Sequence, residues 1–179
     1  MTAETRSQYL IGPGDARGGT LFGGIGTVFK VDGALTGGTL AIVEHPVAAG
    51  MAAAPHTHTK EDELSYVLEG AIRVWIGTDE FTTPAGSYVY KPRNIEHAFW
   101  NPGPAPARLL EIIWPAGLED FFRRMTELVA RRDPSAESLM REVGRAHGIV
   151  MDANKRLEFE KRLGIDGLAR RASDQGPRS

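Results

Sequence analysis

Cysteine is missing from all 179 residues of this chain. Its absence excludes disulfides, thiolate nucleophiles and zinc sites built on cysteine. Long apolar runs are missing too, so no segment is predicted to cross a bilayer. Residues 1–13 contain no basic segment followed by an apolar stretch, which argues against a secretory signal. Without a targeting segment, the sequence predicts a cytoplasmic protein with no membrane partner.

Neither sign of charge dominates the sequence. Lysine and arginine number 21, aspartate and glutamate number 23, and the net charge is -2. The basic residues are not clustered, which argues against a nucleic-acid-binding surface. The length and the 41% hydrophobic content are enough for one domain with its own core, or for one domain with an appendage.

Turn residues and short β-rich runs divide the chain into parts. Residues 1–20 are rich in glycine, proline and polar groups and are predicted to form an irregular arm. Over residues 21–116, β-forming runs alternate with breakers that contain glycine or proline, which is typical of an antiparallel sandwich or barrel. The predicted strands cover residues 27–31, 39–44, 64–68, 72–76, 80–83, 87–91, 97–100 and 108–114.

Helical spacing replaces the strand pattern after Pro115. Leu118, Phe121 and Met125 recur at intervals of three and four residues, which predicts an amphipathic helix. Its apolar stripe is expected to pack against the barrel or against a second subunit. The predicted parts are a helical extension over residues 117–165, with helices at 118–133, 136–147 and 153–163, and a disordered tail over residues 166–179.

Three of the five histidines form a pattern with a glutamate. His56 and His58 are two residues apart, so on a strand both side chains face the same side. Glu63 lies far enough beyond them to start the next strand, and His97 follows on a later one. If the sheet closes on itself, the four side chains can converge inside it. Each signal alone is weak, because single histidines and glutamates are common on surfaces and in cores, but the joint pattern favours a metal site.

Three imidazoles and one carboxylate suit one divalent transition metal, which can be Fe, Ni, Mn, Cu or Zn. Four protein ligands on a five- or six-coordinate ion leave open positions, which mark a catalytic site rather than a structural one. The sequence does not choose among these metals. His45 and His147 fall outside the pattern and are predicted to be ordinary surface or core residues.

Two spaced motifs surround these residues. The matching positions are Gly50, His56, His58, Glu63 and Gly70 for G(X)5HXH(X)3-4E(X)6G, and Gly86, Pro92, His97 and Asn101 for G(X)5PXG(X)2H(X)3N. With these motifs, residues 39–115 resemble a cupin, a small jelly-roll barrel. Asn94 stands where the second motif has glycine, and asparagine is a common substitute in left-handed backbone.

The resemblance implies a mostly β fold, a cupin jelly-roll barrel with two or three C-terminal helices. It also implies that His56, His58, Glu63 and His97 are the metal ligands. The chain size and the helical extension are loosely similar to those of quercetin dioxygenases. This likeness favours a metal-dependent enzyme, a dioxygenase of an aromatic, enol or diketone substrate, in which Glu63 can act as the base as well as a ligand.

Two other functions stay open, because one fold hosts many reactions. The first is a non-oxidative cyclase, isomerase or decarboxylase similar to cupin-type polyketide cyclases, and the second is a non-enzymatic small-molecule binder. Val67, Phe99 and either Tyr88 or Tyr90 are candidates for the apolar wall of a substrate pocket. The apolar C-terminal helix and an exposed edge strand at the N-terminal arm predict a homodimer.

Overall fold

The computed structural model describes residues 10–12, 19–22, 25–130 and 136–165. The strands in these ranges are β1 Gly19–Phe22, β2 Ile25–Val31, β3 Ala41–Val47, β4 Ala52–His58, β5 Asp62–Glu69, β6 Ala71–Ile76, β7 Asp79–Pro84, β8 Tyr88–Lys91, β9 His97–Trp100, β10 Ala107–Trp114 and β11 Ile149–Val150. The helices in the same ranges are α1 Gly33–Thr36, α2 Leu118–Ala130, α3 Ala136–Ala146 and α4 Ala153–Leu163.

Two antiparallel sheets form the barrel. Within the described residues, one sheet has the strand order β1-β2-β3-β10-β5-β8 and the other has the order β11-β4-β9-β6-β7. Neighbouring strands such as β3 and β10 are distant in the chain, which is the connectivity of a jelly roll. Both of these strands alternate between buried and partly exposed residues, so one face of the sheet forms the barrel interior. The predicted mostly β jelly-roll barrel with C-terminal helices is confirmed.

Large apolar side chains fill much of the barrel interior. Val67, Ile72 and Leu109 are almost fully buried, and Met51 and Trp100 belong to the same cluster. Removing such surface from water contributes about 25 cal/mol for each Å². The same packing places any polar group in the interior in dry surroundings, where it needs a partner.

Helix α2 packs against strands of the six-stranded sheet. Its residues Leu118, Phe121 and Met125 are buried and share a cluster with Phe29 and Ile113 of the barrel. The apolar stripe of this helix therefore packs on the barrel, which is one of the two partners expected from the sequence.

The segment after α3 packs on the five-stranded sheet. Strand β11 pairs with the edge of β4, placing Ile149 opposite His58 and Val150 opposite Thr57. In α4, the ring of Phe159 lies edge-on to that of Trp100, with 5.5 Å between centroids. The strands predicted from the sequence include neither β4 nor β11, and no helix is predicted at the position of α1.

The ends of several elements differ from the prediction. Strand β1 begins at Gly19, within the stretch predicted to be an irregular arm. Most of that arm, the predicted end of the first helix near residue 133 and the predicted disordered tail lie outside the described residues. None of the described helices combines the length and apolar character that a membrane span requires.

Two turn positions hold the motif residues in place. Gly70 has φ +74°, and a Cβ atom there would lie 2.9 Å from the Cβ atom of Ala107. Both the backbone conformation and the space therefore require glycine. Asn94 has φ +65°, the left-handed conformation expected at its place in the second motif. Its N–H donates to the carbonyl of His58 at 2.7 Å, which ties the loop before β9 to the end of β4.

Candidate metal centre

Strand pairing places two of the predicted ligands opposite each other. Strands β4 and β9 are antiparallel neighbours, and His56 lies directly across from His97. The register shifts between Ala53 and His56, as at a β-bulge, and such shifts re-aim side chains near functional sites. His58 follows two residues later, at the end of β4. Pairing and chain direction thus bring three histidines to one place.

The three imidazoles meet at the barrel interior. Ring centroids are 4.5 Å apart for His56 and His97, 4.9 Å for His56 and His58, and 5.3 Å for His58 and His97. One nitrogen from each ring lies within 4.8 Å of the other two, so the group could hold a metal ion. His58 and His97 are buried, whereas His56 is partly exposed.

Backbone carbonyls fix the hydrogen position on two of the rings. Nδ1 of His56 lies 2.7 Å from the carbonyl oxygen of Ala54, and Nδ1 of His97 lies 3.0 Å from that of Ile95. A carbonyl oxygen can only accept, so each Nδ1 carries the hydrogen and each Nε2 presents a lone pair. Metal-binding histidines are oriented in this way. Nδ1 of His58 is buried and has no hydrogen-bond partner among the described residues.

Glu63 approaches the histidines from β5. Its Oε2 lies 3.3 Å from Nε2 of His97 and 3.6 Å from Nε2 of His58. Because the hydrogen of His97 is on Nδ1, its Nε2 and the Glu63 oxygen are two buried acceptors that face each other. This contact becomes favourable when the two atoms share a proton or when a metal cation lies beside both of them. All four predicted ligand residues are thus close together, and their donor atoms fit a divalent transition metal.

Burial keeps two of the imidazoles neutral. It is the main cause that lowers the pKa of His58 from 6.5 to about 4. Burial also holds the pKa of His56 well below its ordinary value, and the neighbouring His97 and His58 rings add to the effect. The neutral imidazole is the form that binds metal, so few protons need to be displaced at neutral pH.

A buried ion-pair network adjoins the histidines. Nζ of Lys91 lies 2.9 Å from Oε2 of Glu63 and 2.9 Å from Oε1 of Glu111. Ser65 donates its hydroxyl hydrogen to the Glu111 carboxylate, with 3.0 Å to either oxygen. All four residues are buried. Lys91, Glu111 and Ser65 are missing from the site predicted from the sequence. The signal for two of them was a charged residue inside a predicted β-strand, Lys91 in residues 87–91 and Glu111 in residues 108–114.

The charges of this network shift one another's pKa values. Burial acts to raise the pKa of Glu63, but Lys91, followed by His58 and His97, holds it well below its usual range. Burial raises the pKa of Glu111 to about 7, against the opposing effect of Lys91. Burial acts to lower the pKa of Lys91, but the two carboxylates outweigh it and raise this pKa. Glu63 is therefore ionised at neutral pH, as a carboxylate ligand must be.

The predicted pocket-wall residues divide between interior and surface. Val67 and Phe99 are buried, whereas Tyr88 and Tyr90 are 70% and 54% exposed. Side chains alternate along β8, and Val89 and Lys91 are the residues that this strand turns into the barrel. Neither tyrosine therefore lines the interior.

The two remaining histidines lie outside the group formed by His56, His58 and His97. His45 is buried, with Nδ1 2.9 Å from the carbonyl oxygen of Gly26 and its ring edge-on to Phe122. Burial is the main cause that lowers its pKa from 6.5 to about 4. In α3, the carbonyl oxygen of Val143 lies 2.8 Å from Nδ1 of His147. Both rings serve packing and backbone contacts.

Asn101, the last residue of the second motif, stabilises a loop. Its side-chain NH₂ donates to the carbonyl oxygens of Val47 at 3.0 Å and Ala105 at 2.8 Å. Its Oδ1 accepts from the N–H of Gly103 at 2.9 Å. These bonds tie the loop after β9 to the end of β3, and Asn101 takes no part in the histidine group.

Comparisons with known proteins agree with the motifs and the fold. The family model described as "Cupin domain" matches residues 43–113. An RmlC-like cupin from Shewanella frigidimarina NCIMB 400 is similar with a TM-score of 0.55 and 22% identity, covering 64% of this chain and 96% of that one. KdgF from Halomonas sp. is similar with a TM-score of 0.50 and 19% identity, covering 56% of this chain and 86% of that one.

At these identities the structural likeness shows the fold alone. A search of curated proteins finds no match to the sequence. The two spaced motifs, the jelly-roll barrel and the domain match nevertheless point to one family. The resemblance seen in the sequence is confirmed: residues 43–113 match the cupin domain model, and the barrel has the fold of cupin structures.

Proposed function

We propose that this cupin binds one divalent transition metal through His56, His58, His97 and Glu63 and acts on a small organic molecule. The proposed reaction is dioxygenation of an aromatic, enol or diketone substrate. The observation that carries the proposal is the convergence of three imidazoles, with one nitrogen from each within 4.8 Å of the others, beside Oε2 of Glu63, which lies 3.3 Å from Nε2 of His97. A cation inside the histidine group turns this contact between two acceptors into shared coordination.

The protein's own groups prepare the site. The carbonyls of Ala54 and Ile95 orient two rings so that Nε2 is free to bind. A bound divalent metal supplies Lewis acidity toward a substrate oxygen and, when redox-active, reactivity with molecular oxygen. The low pKa of Glu63 favours its role as a ligand over its second proposed role as a base, because a weak base takes up the substrate's proton poorly.

A non-oxidative cyclase, isomerase or decarboxylase is the second candidate. Lys91 and Glu111 form a buried pair beside the proposed ligands. The raised pKa of Glu111, about 7, suits a group that exchanges protons near neutral pH. Chemistry of this kind needs no change in the oxidation state of the metal, so zinc is sufficient.

Metal analysis and paired assays test the proposal. Protein purified without added metal should contain a transition metal that His97→Ala largely loses and the control His147→Ala retains. Oxygen uptake with flavonols and diketones supports the dioxygenase, and turnover under strict anaerobiosis supports the second candidate. Metal binding without any turnover supports the small-molecule binder. Wild-type protein that binds no transition metal refutes the proposal.

A homodimer and a cytoplasmic location stay predictions. The apolar face of α2 is buried against the barrel, so we propose a different contact surface for a second copy. Exposed Tyr88 and Tyr90 lie on β8, at an edge of the six-stranded sheet, and Trp114 stacks on Tyr90 with 6.0 Å between rings. Exposed aromatic clusters of this kind favour association. A monomer in sedimentation experiments contradicts the dimer.

A further inference from the structure

A charged amine lies inside the barrel. The Lys91 side chain is 3% exposed, and its ammonium lies 5.6 Å from the centre of the Phe99 ring. Carboxylates of Glu63 and Glu111 flank it, each at 2.9 Å. A lysine in such surroundings stays charged only because carboxylates compensate its lost hydration.

One oxygen atom serves both the ammonium and the histidines. Oε2 of Glu63 lies 2.9 Å from Nζ of Lys91. The same Oε2 lies 3.3 Å from Nε2 of His97 and 3.6 Å from Nε2 of His58. A metal held by the histidines would therefore bind Oε2 of Glu63, an oxygen that is already paired with the Lys91 ammonium. Two cations on one oxygen repel each other strongly in a dry interior.

Glu111 gives the ammonium a second anchor. Its Oε1 lies as close to Lys91 as Glu63 does, and the Ser65 hydroxyl holds the Glu111 carboxylate in place. Strand pairing fixes this arrangement, since Lys91 is directly opposite Glu63 and Ser65 is directly opposite Glu111. The position of the charge is therefore set by the barrel itself.

We propose that Lys91 competes with the metal for Glu63 and that Glu111 sets the strength of this competition. The inference rests on the proposed metal site and extends it. Lys91 acts through Glu63 and is thus a positioning residue. Glu63 is a shared ligand, held by the metal or by the ammonium, while the three histidines provide the permanent part of the site.

The two neighbours of the shared oxygen should act in opposite directions. Lys91→Met removes the competing charge and should tighten metal binding by about tenfold or more. Glu111→Gln removes one of the two carboxylates that pair with Lys91. The ammonium then pairs with Glu63 alone and competes more strongly with the metal, so metal binding should weaken by about tenfold. A purely structural lysine would lower stability when replaced, but it would not raise the affinity for metal.

Metal affinity measured by competition with a chelator tests the inference. Zn²⁺ gives the dissociation constant, and Co²⁺ reports the ligand set through its visible absorption. Lys155→Met is the matched control, because Lys155 also has an ion pair, 2.7 Å to Glu96, but lies on the surface. Glu63→Gln should reduce affinity by a larger factor in the Lys91→Met background than in the wild type, because only there does the metal hold the carboxylate without competition.

The possible results separate the two proposals. Equal or weaker metal binding by Lys91→Met, with normal binding by the wild type, overturns the inference and leaves the metal site intact. Absence of metal binding by the wild type refutes the proposed function itself. If Lys91→Met fails to fold, Glu111→Gln decides, since this variant keeps the shape of the side chain. Unchanged or tighter binding by Glu111→Gln overturns the inference, and weaker binding supports it.

Discussion

Replacing His45 with glutamine or phenylalanine should make the metal-free protein less sensitive to acid. The His45 ring is buried, and burial is the main cause that lowers its pKa from 6.5 to about 4. In the unfolded chain this imidazole takes up a proton near its ordinary pKa. Between the two pKa values, acid therefore stabilises the unfolded state, and the stability of the folded protein falls as the pH falls.

The magnitude follows from proton linkage. A pKa of about 4 in the folded protein and about 6.5 in the unfolded chain removes roughly 2 kcal/mol of unfolding free energy between about pH 8 and about pH 5. His58 acts in the same sense as His45. Glu111 acts in the opposite sense, because its pKa of about 7 makes the folded protein the better proton binder. The difference between wild type and variant isolates the contribution of His45.

Urea unfolding at the two pH values, with a chelator present, measures this difference. On acidification, we expect the unfolding free energy of each variant to fall by about 2 kcal/mol less than that of the wild type. Only glutamine can still donate to the carbonyl of Gly26, so agreement between the two variants separates proton uptake from the lost hydrogen bond. A variant that keeps the full acid sensitivity of the wild type would refute the reasoning.

Two further predictions concern motif residues. Asn101→Ala removes the amide that bonds to Val47, Ala105 and Gly103, so urea unfolding should show a loss of about 2–4 kcal/mol; a loss below about 0.5 kcal/mol contradicts the stabilising role. Asn94→Gly should keep the stability of the wild type, whereas Asn94→Ala should cost about 1 kcal/mol, because φ is +65°. Equal melting temperatures for these two variants would contradict the second prediction.

Local rules explain the part of the site that could be predicted from the sequence. The two-residue period of a strand is enough to place His56 and His58 on the same side. The motif spacing adds Glu63 and His97, and the structure brings all four residues together. Asn94 likewise has the left-handed backbone expected from its residue type.

The network around Lys91 could not be predicted, because it depends on register between strands that are distant in sequence. Strand β5 lies between β8 and β10, which places Glu63 opposite Lys91 and Ser65 opposite Glu111. Neither pairing joins consecutive strands, so no local pattern specifies it. Strand β11 could not be predicted for a similar reason. Its two residues form a strand only because they pair with the edge of β4.

The link between β11 and β4 makes the C-terminal extension part of the support of the proposed metal centre. Thr57 and His58 pair with β11, and both the N–H and the hydroxyl of Thr59 donate to the carbonyl oxygen of Gly148 at 2.9 Å. The extension thus braces the strand that supplies two of the three imidazoles. A shortened chain that ends before residue 136 would leave His56 and His58 on a strand that lacks its β11 neighbour, so we expect the smallest unit that holds these two rings firmly to be larger than the barrel.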